Sequence, residues 1–233
     1  MALKNDLTKA LNNYTSGFAS IVPFNPQKDG LVAFDFTKDN IELTEDILND
    51  TNRFSSYINS KLNDATAIYG VGGYDEHRTI YKRSSVFDGE EPRRLHLGVD
   101  IWGDAGTPVY APLEGTVHSF AFNDTYGDYG ATLILQHELD GMIFHTLYGH
   151  LSLHSIEDKR EGQLIEKGEW IAALGNPEEN GHWPPHLHFQ VIIDMEGMKG
   201  DYPGVCKYSE REKYLDNCPD PEVMINLKRF LKV

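Results

Sequence analysis

Two short stretches constrain this chain more than any others. Between Pro185 and Ile193 the residues alternate, with Leu187, Phe189 and Val191 on one side and His186, His188 and Gln190 on the other. Successive side chains of a β-strand point to opposite faces, so the spacing predicts a strand with an apolar underside and two imidazoles standing side by side on its upper face. Leu95 to Ile101 repeats the pattern: Leu97, Val99 and Ile101 form the apolar set, and His96, Gly98 and Asp100 the other. Together the stretches offer three imidazoles and a carboxylate, enough for a three-ligand zinc site with one group left over for chemistry.

The rest of the chain from Thr79 onward reads in the same period. Short apolar segments at Pro108 to Ala111, Gly115 to Val117, Ala131 to Leu135, Met142 to Tyr148 and Trp170 to Leu174 are separated by Gly, Asp, Asn and Pro clusters. Strands at such spacing predict a mainly β fold, an antiparallel sandwich or barrel-like domain over residues 76–200. Residues 1–75 read as a small helical cap or lid, with the cap packed on the main domain as the expectation. Leu3, Leu7, Leu11 and Tyr14 share one helical face, and Thr44 is placed to cap a second helix with Ile47, Phe54, Ile58 and Leu62 as its buried stripe. The boundary falls at Gly70 to Gly73. Residues 201–233 read as an extension ending in a short helix from Glu222 to Leu231.

Charge narrows the partners. With 21 basic against 36 acidic residues the chain carries a net charge of −15, which argues against nucleic acid or an anionic membrane as partner. No apolar run of signal-peptide type lies between Met1 and Lys9, and no stretch is long and apolar enough to span a bilayer, so the sequence as written reads as cytoplasmic and soluble. Cys206 and Cys218 are then expected to be free thiols.

From about Leu95 to Asp194, less than half of the 233 residues, the chain resembles the lysostaphin-like zinc metallopeptidases that cut peptidoglycan cross-bridges. The likeness rests on His96-Leu97-Gly98-Val99-Asp100, on the Gly106 to Val117 segment, on Tyr148-Gly149-His150-Leu151 and on His186-Leu187-His188-Phe189, in that order. The resemblance implies an antiparallel β-domain with an open groove and one zinc per chain held by His96, Asp100 and His188. It also implies that His150 and His186 are the catalytic histidines, and that a peptide or peptidoglycan fragment is the substrate.

Elementary chemistry agrees with that assignment. Two histidines and a carboxylate leave zinc with net positive charge and an open position, and His186 and His150 are then placed for acid/base work or for transition-state stabilisation. Spacing does not divide those tasks between them. It does impose a condition, because four residues of straight strand span about 13 Å, too far for His96 and Asp100 to share an ion. Gly98 must bend the chain. The remaining histidines, His77, His118, His137, His145, His154 and His182, are expected to be ordinary hydrogen-bonded groups, with His182 at the rim of the groove.

Several features depart from the family pattern. Its familiar members are exported, and here Asn180 to Pro185 places the bulky Trp183 where a slim polymer would pass. The segments Tyr202 to Val205 and Asn217 to Pro221 resemble a less common intracellular branch found beside aminotransferase and small-molecule kinase domains. An intracellular peptide or amide, such as a recycled wall fragment, is therefore a substrate candidate. Two other readings stand beside the peptidase. One is a non-catalytic or auto-inhibited zinc-binding interaction module. The other is a phosphocarrier, since the glucose-permease sugar-transport domain has a similar β-fold and pairs two histidines; the His96 to Asp100 spacing argues against it, because a phosphoryl acceptor needs no carboxylate ligand.

Overall fold

Leu187, Phe189 and Val191 have no solvent exposure and belong to one core, as the alternation requires of a strand lying over it. Around that strand a computed structural model describes residues 2–231, with the backbone alone for residues 2 and 3, so the position read for Leu3 lies outside the described side chains. The N-terminal part consists of α1 (Ala2–Asn13), β1 (Leu31–Phe34), α2 (Glu45–Leu48), α3 (Thr51–Asp64) and β2 (Tyr69–Gly72). Then follow β3 (Leu95–His96), β4 (Val99–Trp102), β5 (Pro108–Tyr110), β6 (Gly115–Asn123), β7 (Gly130–Leu139) and β8 (Met142–Leu151). A one-turn α4 (His154–Glu157) leads to β9 (Leu164–Ile165), β10 (Trp170–Ala173) and β11 (His186–Ile192). The chain closes with β12 (Val205–Cys206), α5 (Arg211–Asn217) and α6 (Glu222–Ile225).

The fold is mainly β. Eight strands form one sheet in the order β1-β2-β4-β11-β8-β7-β6-β9, and short ladders pair β10 with β5 and β12 with β3. Only β1 and β2 run parallel; the other pairs in the large sheet are antiparallel. The apolar face of β4, β11, β8 and β7 packs against Val109, Ala111, Ile171 and Ala172 around the β5/β10 ladder and against Leu7 and Leu11 of α1. Two β layers thus enclose the main core. The opposite face carries two separate clusters. Phe54, Ile58 and Leu62 of α3 pack with Phe36, Trp102 and Trp183 at one end, and Ile134, Leu147, Ile192, Cys206 and Cys218 gather at the other. The polar residues of β4 and β11 lie between them. Both cysteines are buried and unpaired. Among the described residues no helix is long and apolar enough to cross a membrane.

The N-terminal part differs from a purely helical cap. Its strand β2 pairs with β4 through Gly70, Val71 and Gly72, so all but Gly73 of the segment read as a boundary lies inside the sheet. Gly70 serves close approach: a Cβ there would fall 2.0 Å from the Phe34 ring. The second helix is also divided. Thr44 makes no capping bond, and Asp50 starts a new helix by accepting from the amides of Asn52 and Arg53 at 2.9 and 3.1 Å. At the other end α6 stops at Asn226, which takes the left-handed conformation with φ of 52°, and a 3-10 turn over Lys228–Phe230 follows. The helix read to Leu231 is therefore a single turn.

Candidate metal centre

The bend demanded by the sequence is present. β3 ends at His96 and β4 begins at Val99, each pairing with a different strand, so the chain turns at Leu97 and Gly98. Gly98 also lies under a ring, since a Cβ there would sit 2.6 Å from Cε1 of His188. His96 and Asp100 thereby come together with His188, which faces Asp100 across the β4/β11 ladder. His96 Nε2 lies 2.9 Å from His188 Nδ1, and Asp100 Oδ1 lies 3.1 Å from each. All three residues are buried, and among the described residues no other trio of histidine, cysteine and acidic side chains meets in this way.

Outer hydrogen bonds decide which atoms face inward. Nδ1–H of His96 donates to the Gly73 carbonyl at 2.8 Å, leaving Nε2 as a bare lone pair. Gln190 donates its amide to the Pro203 carbonyl and to Cys218 Sγ, which turns its oxygen to accept from His188 Nε2–H at 2.9 Å. His188 Nδ1 is then also a lone pair. Three acceptors thus converge with no proton among them, and a cation bound between them would relieve their mutual repulsion. Their spacing is close to the roughly 3.3 Å edge of a tetrahedron with 2.0 to 2.1 Å bonds, so the donor set fits zinc.

Electrostatics point the same way. Burial would raise the Asp100 pKa, yet His96, the Arg78 guanidinium and hydrogen bonds hold it well below the usual carboxylate range. Burial, followed by the Arg78 charge, pushes His96 down to about 3, so its imidazole is neutral and available as a ligand.

His186 and His150 stand beside the trio. His186 stacks on Trp102 with ring centroids 3.9 Å apart, and its Nδ1–H donates to the Pro184 carbonyl. His150 lies against His186 at 4.1 Å and donates Nδ1–H to the Asn180 carbonyl. In both rings Nε2 is left free. Simple alternation would have sent His150 to the core face with Tyr148. Instead β8 bulges where Gly149 and His150 oppose the single Thr132 of β7, and His150 takes φ of 61°, which turns its ring to the metal side. Burial, then the neighbouring His186, holds the His150 pKa well below normal; burial lowers His186 to about 4.

Asp100, His188, His186 and His150 line a cavity of about 170 Å³ walled by Tyr81, Phe87, Tyr129 and Trp183. Trp183 is buried against Phe54 of α3 and under the Arg83 guanidinium, so the N-terminal part builds one wall of the site. His182 is exposed at the rim and stacks on Tyr126. His77 and His154 are exposed, His118 packs on His145, and His137 is held between the Glu114 carbonyl and Thr146, so none of these joins the site. Sequence reasoning placed Gln190 on the correct face without giving it a task, and it missed Gly73, Arg78 and Asn180, whose contacts no local spacing signals.

A buried trio of this kind with two imidazoles at its edge could hold a metal ion and offer it two proton acceptors. Residues 94–199 match peptidase family M23. That match spans less than half of the chain's 233 residues. Among curated proteins it is similar to an uncharacterized metalloprotease of Haemophilus influenzae, 33% identical over 138 residues that cover 57% of this chain and 27% of that protein. It is also similar to the DD-carboxypeptidase/endopeptidase Mpg of Neisseria meningitidis, 31% identical over 137 residues covering 56% of this chain and 29% of that one. The chain thus spans under a third of the length of these two relatives. Among solved structures, the catalytic domain of lysostaphin from Staphylococcus simulans is 20% identical and covers 68% of this chain and 97% of its own, with a TM-score of 0.39.

Proposed function

We propose that the chain is a zinc-dependent hydrolase of peptide bonds, acting on a peptidoglycan-type cross-bridge or a related small peptide. The observation that carries this reading is the convergence of three deprotonated donor atoms about 3 Å apart beside two imidazoles whose Nε2 atoms are free. His96, Asp100 and His188 would hold the ion. An ion held there would supply Lewis-acid polarisation of a carbonyl and would make water easier to deprotonate. His186 and His150 are neutral at pH 7, so either accepts a proton through Nε2 and returns it to the leaving amine. Carbonyl acceptors on both Nδ1 atoms fix the tautomer and keep the rings from turning away. Trp102 and Trp183 screen the pair from solvent. The substrate class draws on the names of the relatives, one of which is a DD-carboxypeptidase/endopeptidase.

The test combines metal analysis with a screen of peptidoglycan fragments and short glycine- or alanine-rich peptides. One equivalent of zinc is expected, lost in His188→Ala. Cleavage is expected to vanish in His186→Ala while zinc stays. Zinc retained by the unaltered chain with no peptide ever cut would replace this reading with that of a binding module.

A further inference from the structure

Asp100 is shared between the two imidazoles and a guanidinium. The guanidinium of Arg78 is fully buried and bonds Asp100 Oδ2, the oxygen turned away from the two imidazoles, while its Nε donates to Glu76 at 2.6 Å. A third contact runs to the Gly73 carbonyl at 3.2 Å, the same oxygen that accepts from His96. The Phe36 ring lies 5.3 Å from the guanidinium carbon. Space for the group is built into the sheet. Gly72 faces Asp100 across the β2/β4 ladder, and a Cβ on Gly72 would fall 2.7 Å from Arg78 Nη2.

A buried ion pair is weak evidence for stability, because a whole buried triad is often replaced by apolar packing without loss, although removing Arg78 alone would leave Asp100 and Glu76 without their partner. The effect of the arrangement falls on the metal. With Oδ2 engaged, Asp100 presents Oδ1 alone to the trio, and part of its charge is already answered. We infer that Arg78, backed by Glu76, is a positioning residue that holds Asp100 to one-oxygen ligation and keeps positive charge at the centre high. Gly72, Gly73, Glu76 and Arg78 all lie ahead of residues 94–199, so the metal centre extends beyond the matched domain. The inference rests on the zinc-hydrolase reading.

The two side chains pull in opposite directions, and that supplies the test. Zinc affinity of the full chain is measured by chelator competition, with kcat and KM on a cleaved peptide alongside. Arg78→Met frees the whole carboxylate charge for the metal, so zinc is expected to bind about tenfold tighter or more, while kcat falls at least about tenfold and KM holds within about threefold. Glu76→Gln removes the counter-charge from Arg78 and is expected to weaken zinc several-fold. Opposite shifts support the inference. Loss of zinc in both variants, or unchanged affinity in both, overturns it. Should Arg78→Met not fold, Glu76→Gln decides alone: affinity that is unchanged or tighter overturns the inference. If the unaltered chain binds no zinc, the underlying hydrolase reading fails first and is recognised as such.

Discussion

Replacing Gln190 by leucine tests whether the outer hydrogen bonds aim the ligands. Gln190 is fully buried, and its oxygen is the partner that draws the proton onto Nε2 of His188 at 2.9 Å. Leucine has nearly the same volume and cannot accept. The His188 ring then loses the bond that fixes its tautomer, with only the Tyr129 hydroxyl at 3.4 Å nearby. Outer partners of metal-bound histidines are typically worth 10- to 100-fold in affinity, about 1.4 to 2.7 kcal/mol. Zinc binding measured by chelator competition at pH 7 should weaken by that range. Gln190→Glu provides the contrast, because it keeps an acceptor for His188 while giving up the donors to Pro203 and Cys218. Its zinc affinity should remain near that of the unaltered chain even as thermal stability drops. A Gln190→Leu variant within threefold of the unaltered affinity would refute the claim that this bond orients the ligand.

Other perturbations follow from the same contacts. Gly98→Ala would drive a methyl group to 2.6 Å from the His188 ring and 2.7 Å from the Phe189 carbonyl, so zinc affinity should fall at least about tenfold with a stability loss of about 1 to 3 kcal/mol, read by chelator competition and urea unfolding. Phe54→Ala removes a fully buried ring lying between Phe36, Trp102 and Trp183 and should cost about 3 to 5 kcal/mol in denaturant unfolding. His137 has its pKa lowered by burial to about 4, below an unfolded value near 6.5. Its contribution to stability is therefore complete above pH 6.5 and declines as the pH falls toward 4, by about 3 kcal/mol over the whole window. An NMR titration placing its midpoint near 6.5 in the folded chain would contradict that. Asp50→Ala leaves two helix amides without their acceptor and should cost about 0.5 to 2 kcal/mol.

What could be read from sequence was local. Alternation in β11 places His186 and His188 on one face because strand geometry has a fixed period of two residues. Around Gly98 the period breaks: Leu97, read as sharing a face with Val99 and Ile101, packs in the cluster on the opposite face, and His96 reaches Asp100 through the turn. The turn at Gly98 was legible because a distance limit required it. His150 was assigned through family likeness, whereas its orientation comes from a bulge that depends on the pairing of β8 with β7, which no single segment reveals. Residues Arg78 and Gly73 were invisible for a related reason: their roles exist only once β2 lies against β4. The division of the N-terminal helix turned on whether Thr44 or Asp50 caps it, and both residue types are good caps.

The pairing of β2 with β4 has a practical consequence for anyone shortening this protein. A piece cut just ahead of residue 94 would leave the strand bearing Asp100 at the margin of its sheet, with the backbone of residues 100–102 newly bare and the Trp102 indole stripped of Phe36 and Phe54. Naked strand margins recruit other copies of themselves. Such a piece should clump rather than turn over peptide, and its inactivity would say nothing about the intact molecule.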